Sequence, residues 1–145
     1  MSKFLISFLL IVFLSISVFS GSDEETYGNV TLSEVTSIYD GDTFRGTIKD
    51  YPPILGYRIS IRIYGIDCPE LKDKNPKIKS LALQAKQYTV QRLREGKEIK
   101  LVDMRRDKYF RICAKVLIDG KDLGQELIKK GLAKPYDGGT KEKWE

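Results

Sequence analysis

The sequence predicts an α+β fold that is mostly β, a five-stranded barrel with two helices packed on it. Three observations predict it. Apolar and polar residues alternate in several short runs bounded by Gly, Pro and Asp, the pattern of strands with one buried face. One stretch, Ile78 to Glu95, instead repeats its apolar residues at helical spacing. The elements then fall in the order three strands, helix, two strands, helix. That is too few strands for a sandwich, and it lacks the βαβ alternation of a parallel sheet. A chain of 145 residues suffices for one domain with one core.

The first residues read as a targeting segment. Lys3 supplies a positive charge, Phe4 to Phe19 is a nearly unbroken apolar run, and Val18-Phe19-Ser20 offers a cleavage site before the polar Gly21-Ser22-Asp23-Glu24-Glu25. The run is short beside the roughly 20 residues of a membrane span. Residues 1–20 are therefore expected to be a signal peptide, 21–27 a linker and 28–145 the domain, with the protein secreted or periplasmic. Membrane attachment is expected only if the segment is retained.

Val30 to Tyr39 reads as the first strand, with Val30, Leu32, Val35 and Ile38 apolar. Asp40-Gly41 signals a turn, and Thr43 to Ile48 runs back as the second strand. Lys49 to Gly56, with Pro52 and Pro53, reads as a loop. In the third strand Ile59, Ile61 and Ile63 share a face, and Arg62 lies on the other; Gly65 and Pro69 end it. The helix from about Ile78 to Glu95 carries Ile78, Leu81, Ala82, Ala85, Tyr88 and Thr89 on one side, with Gly96 as its C-cap. Glu98 to Val102 is the fourth strand, Arg105 to Phe110 a basic turn, and Arg111 to Ile118 the fifth strand. In that last strand Ile112, Ala114, Val116 and Ile118 oppose Arg111. Asp122 and Gln125 form a capping box for a short helix that Gly131 closes. The tail Pro135-Tyr136-Asp137-Gly138-Gly139 reads as irregular. A small barrel of five strands with helices on it is the OB architecture.

Composition narrows the chemistry. Hydrophobic content of 41% and charged content of 31% describe a globular domain, and the net charge of +5 favours a polyanionic partner. Removal of residues 1–20 takes Lys3 and leaves 5 − 1 = +4. The chain has no histidine. This excludes Ser-His-Asp and Cys-His catalysis, the usual zinc sites and any histidine general base. A catalytic metal must then be bound by carboxylate and carbonyl oxygens, which suits calcium or magnesium. Cys68 and Cys113, the two cysteines, match no metal-binding spacing; export permits a disulfide between them without requiring one.

The stretch Arg62 to Leu71 concentrates the chemistry. Asp67 and Glu70 follow the end of a strand whose open face carries Arg62, and such a cluster is expensive unless something binds within it. A second acidic loop, Asp40-Gly41-Asp42-Thr43, and a second arginine on an open strand face, Arg111, recur elsewhere.

Taken together, Asp40-Gly41-Asp42-Thr43, Arg62 with Asp67-Cys68-Pro69-Glu70, and Arg106-Asp107-Lys108-Tyr109-Phe110-Arg111 resemble the staphylococcal (micrococcal) nuclease, or thermonuclease, family. Gly131-Leu132-Ala133 matches as well, and the resemblance runs from about Val30 to Tyr136. It implies an OB barrel and a calcium-dependent endonuclease acting on DNA and RNA, leaving 3′-phosphate and 5′-hydroxyl ends. By the same resemblance Asp42, Asp67 and the backbone carbonyl of Cys68 would hold calcium, Glu70 would be the general base, and Arg62 and Arg111 would hold the phosphate. Lys108 and Tyr109 would flank the phosphate cleft, and Tyr136 would stack on a base. The reading is of a monomer without a stable protein partner.

The sequence departs from the family pattern twice. Phe110 stands where the family's namesake has a glycine before the second arginine, and the long C-terminal helix is reduced or absent. Two other readings stay open: a non-catalytic nucleic-acid-binding OB module, and an exported OB domain for another anionic polymer. All five acidic and basic site residues are present, which favours the enzyme.

Overall fold

The computed structural model describes residues 25–145. The apolar segment read as a signal peptide lies outside the described residues.

The barrel forms from β1 (Val30–Ile38), β2 (Thr43–Ile48), β3 (Ile59–Ile63), β5 (Ile99–Arg106) and β6 (Ile112–Ile118). Neighbours pair antiparallel in the order β3-β2-β1-β5-β6, and a parallel pairing of β3 with β6 closes the ring. Closure leaves no open edge among these five strands. The sequence thus gives the expected mostly-β OB barrel. Its interior holds Phe44, Ile61, Ile63, Leu101, Ala114, Val116 and Ile118, all at most 1% exposed. These are the residues that period-two alternation turns inward.

Helix α2 (Pro76–Glu95) starts where Asn75 accepts the Lys77 N–H and Pro76 fills the first position, which needs no N–H. Its buried residues, Ile78, Ala82, Ala85, Thr89 and Leu93, recur every three or four positions. Asp122 accepts the Gln125 N–H to start α3 (Leu123–Lys129), which buries Leu123 and Leu127. Short strand β7 (Lys121–Asp122) adds to β6. Across the helices, Glu126 joins Arg92 at 2.7 Å and also accepts from the Tyr88 hydroxyl.

Several expectations change. The Lys49–Gly56 loop contains one helical turn, α1 (Pro53–Gly56), led by prolines whose fixed φ suits a helix start. β5 runs on to Arg106, so the basic turn shortens to Asp107–Phe110. A register shift between Val102 and Arg105, with Asp103 at φ 51°, interrupts the alternation and hides this strand's second half. Gly96 is not a left-handed cap: its φ is −66°, and its Cβ would lie 2.4 Å from the Ile118 methyl, so close packing selects glycine there. Gly131, at φ 69°, is the left-handed cap expected. The tail is partly ordered: β8 (Lys134–Pro135) pairs with β4 (Ile66–Asp67). No helix follows α3 among the described residues.

Candidate active site

The β1–β2 turn, the end of β3 with β4, and the β5–β6 turn surround a cleft of about 640 Å³. The acidic turn is built tightly. Asp40 accepts the Asp42 N–H at 3.1 Å, and the Tyr39 and Asp40 N–H groups both reach the Thr43 carbonyl. Asp40 therefore has the turn role its sequence context implies. The Asp42 carbonyl accepts the Ile63 N–H, tying this turn to the end of β3.

Gly41 presses the turn onto α2. A Cβ here would lie 2.8 Å from both the Ala85 Cβ and the Cys68 Sγ. The fully buried Thr89 hydroxyl donates to the Gly41 carbonyl at 2.7 Å. Helical spacing marks Thr89 only as a core position, yet its hydroxyl fixes the acidic turn. Gly41→Ala is expected to lower stability by about 1–3 kcal/mol through overpacking, read as a lower urea midpoint. An unchanged midpoint would show that the turn yields freely.

Asp42 and Asp67 are 3% and 5% exposed. Arg62 joins them, donating to Asp42 Oδ1 at 2.7 Å, to Asp67 Oδ1 at 3.4 Å and to the Ile66 carbonyl at 3.2 Å. The other Asp42 oxygen accepts the Cys68 N–H at 2.9 Å, which brings that backbone beside the carboxylate. Burial opposes the charge on Arg62, but Asp42 and then Asp67 outweigh it and hold the guanidinium above its ordinary range. Burial and then the neighbouring Asp42 push the Asp40 carboxyl up to about 6. Negative charge is thus crowded in this corner.

The cysteines are unbridged. Burial first, and the surrounding carboxylates next, push the Cys68 thiol far above its ordinary range, so it is no thiolate ligand. What Cys68 offers is its backbone. Among the described residues no three His, Cys, Asp or Glu side chains gather at metal-binding distance. The oxygen donors in this corner are two buried carboxylates and the Ile66 carbonyl, which shares Arg62 with them, groups of the kind a hard divalent cation takes. A cationic group lies against one of these carboxylates, the Lys141 ammonium at 2.7 Å from Asp67 Oδ1.

Glu70 sits at the mouth with its side chain 71% exposed. On the opposite wall, Asp107 accepts the N–H groups of Tyr109 and Arg111 and grips the Arg111 Nε at 2.7 Å. Burial tends to raise the Asp107 carboxyl, but those donors outweigh it and lower it. Two cations lie against the Tyr109 ring, Lys108 at 5.2 Å and Arg111 at 5.3 Å. Phe110 takes φ 61°, so the left-handed conformation natural to glycine is kept by a strained phenylalanine that is 79% exposed. Arg111 still lines the cleft. Tyr136 enters through the tail, its N–H on the Gly65 carbonyl and its ring 6.0 Å from Arg62.

All nine residues singled out from the sequence therefore line one cleft: Asp42, Arg62, Asp67, Cys68, Glu70, Lys108, Tyr109, Arg111 and Tyr136. Asp107, Thr89 and Lys141 were not singled out as site residues. Asp107 had a signal, an acid four residues before Arg111 in a turn, whereas Lys141 had none.

Residues 60–144 match the family model described as staphylococcal nuclease homologue. The chain is 30% identical over 127 residues to a probable endonuclease of Schizosaccharomyces pombe, covering 72% of this chain and 55% of that protein. It is 30% identical over 149 residues to a probable endonuclease of Schizosaccharomyces japonicus, covering 86% and 64%. To the endonuclease YncB of Bacillus subtilis it is 32% identical over 118 residues, covering 78% and 52%. The chain thus spans between about half and two thirds of the length of these relatives.

Proposed function

Because the chain belongs to the staphylococcal nuclease homologue family, we propose that it is an exported, calcium-dependent endonuclease hydrolysing phosphodiester bonds of DNA and RNA. One observation carries this reading: two buried carboxylates converge on Arg62 in a cleft that Glu70 and Arg111 also line. Relatives named as endonucleases in fungi and in a bacterium support it. The apolar run at residues 4–19 supports export.

Asp42, Asp67 and the Cys68 carbonyl would hold the ion. When bound, calcium would supply positive charge against the phosphate, which otherwise repels a nucleophile. Glu70 takes the proton from the attacking water. Its exposure at the mouth gives that water access. Arg62 and Arg111 donate to the phosphate oxygens, with hydrogen bonds that strengthen as negative charge builds on them. Asp42 and Asp67 orient Arg62, and Asp107 holds Arg111 by Nε, leaving its terminal amino groups for phosphate. Lys108 and Tyr109 flank the strand, and Tyr136 stacks on a base.

The reading is tested by incubating the protein with single-stranded DNA and with RNA in calcium and analysing the new ends. Fragments carrying 3′-phosphate and 5′-hydroxyl ends are expected. Retention of intact nucleic acid would replace the enzyme by a binding module.

A further inference from the structure

The cation lodged at Asp67 belongs to the chain's own tail, and the tail is folded so as to deliver it. Register pairs Lys134 with Asp67 in the β4–β8 ladder. Beyond β8 the chain turns back: the Tyr136 hydroxyl donates to the Gly139 carbonyl, and Asp137 accepts the Gly139 N–H. Lys134 then grips the returning segment three times. Its ammonium donates to the Lys143 carbonyl at 2.8 Å, lies 3.6 Å from the Glu142 carboxylate and 4.9 Å from the Trp144 ring. Thus anchored, Lys141 reaches into the cleft, 2.7 Å from Asp67 Oδ1 and 3.7 Å from Glu70 Oε1.

We propose that Lys141 is a tethered competitor of the divalent cation, occupying the Asp67 carboxylate until the ion displaces it and the 139–145 tail leaves the cleft. The inference rests on the reading of Asp67 as a metal ligand. A divalent ion attracts a carboxylate about twice as strongly as an ammonium at the same distance, so exchange favours the ion. The grip is also partly screened. One member of each pair is open to water, Lys141 at 46% and Glu142 at 70%, while Asp67 at 7% and Lys134 at 31% are more enclosed. The buried Trp144 indole N–H has no hydrogen-bond partner, which works against docking.

The test titrates calcium chloride into the full, chelator-stripped chain by calorimetry while following tryptophan emission. Trp144 is the chain's one tryptophan, so emission reports on the tail directly. Three forms are compared: wild type, Lys141→Met, and Lys143→Met, which removes an equal charge two residues away. The expected result is calcium binding about 3- to 10-fold tighter in Lys141→Met, the size of a partly screened ion pair. Lys143→Met is expected to stay close to wild type, and calcium is expected to shift wild-type emission to longer wavelength. Equal affinity in the two variants, or unchanged emission at saturation, would overturn the proposal and leave the calcium reading standing. Absence of binding in all three would overturn both.

Discussion

Replacing Glu70 by glutamine is expected to cut turnover by about 10²–10⁴-fold, the usual worth of a positioned general base, with melting temperature unchanged. The substitution keeps the size of the side chain and removes its capacity to accept a proton. The side chain is 71% exposed, and exposed substitutions away from special features usually lie within about 0.5 kcal/mol. The loop contact made by this residue, its carbonyl accepting the Asp73 N–H, belongs to the backbone and survives. Calcium-supported binding of DNA should survive too, because Asp42, Asp67, Arg62 and Arg111 are untouched. Near-wild-type turnover would end the candidacy of Glu70. A collapsed melting temperature would make it structural first.

Arg62→Met is expected to damage both catalysis and the fold. Turnover should fall by about 10²-fold or more, as when a preorganised donor to a developing oxyanion is lost. Stability in chelator should fall by about 3–5 kcal/mol, because two carboxylates at 3% and 5% exposure lose their shared guanidinium. Calcium is then expected to return part of that stability, since an ion bound only by the folded state replaces the missing positive charge. Urea unfolding of the variant with and without calcium reads this out. Equal stability in the two conditions would separate the acidic pair from metal binding. Arg111→Met should lose less stability, because its partner Asp107 is partly exposed and keeps the Tyr109 and Arg111 backbone N–H groups.

The sequence carries the strand faces because alternation is local. Ile61 and Ile63 on one strand, and Ala114, Val116 and Ile118 on another, point inward without knowledge of their partners, and Arg62 and Arg111 follow as outward groups. Convergence of those arginines depends on the parallel β3–β6 pairing, which sets Arg62 beside Cys113 in register. That is a non-local contact, and only matched motifs in their expected order brought it within reach. Thr89 shows another limit: helix spacing says that it is buried, but the partner of its hydroxyl is 48 residues away. Lys141 lies in a polar tail with neither periodicity nor motif, so its arrival at Asp67 has no local signature. Gly96 was legible as a helix terminus for the wrong physical reason, since a glycine selected by a packed Ile118 methyl reads the same as one selected by positive φ.

Oxygen ligands at Asp42 and Asp67 are expected to gather a cation without which the cleft does no chemistry. The most direct measurement is the rate of DNA cleavage by the full chain in calcium and, from the same preparation, in excess chelator. Rapid fragmentation in calcium and none in chelator is the predicted result. Equal cleavage in the two would contradict the account.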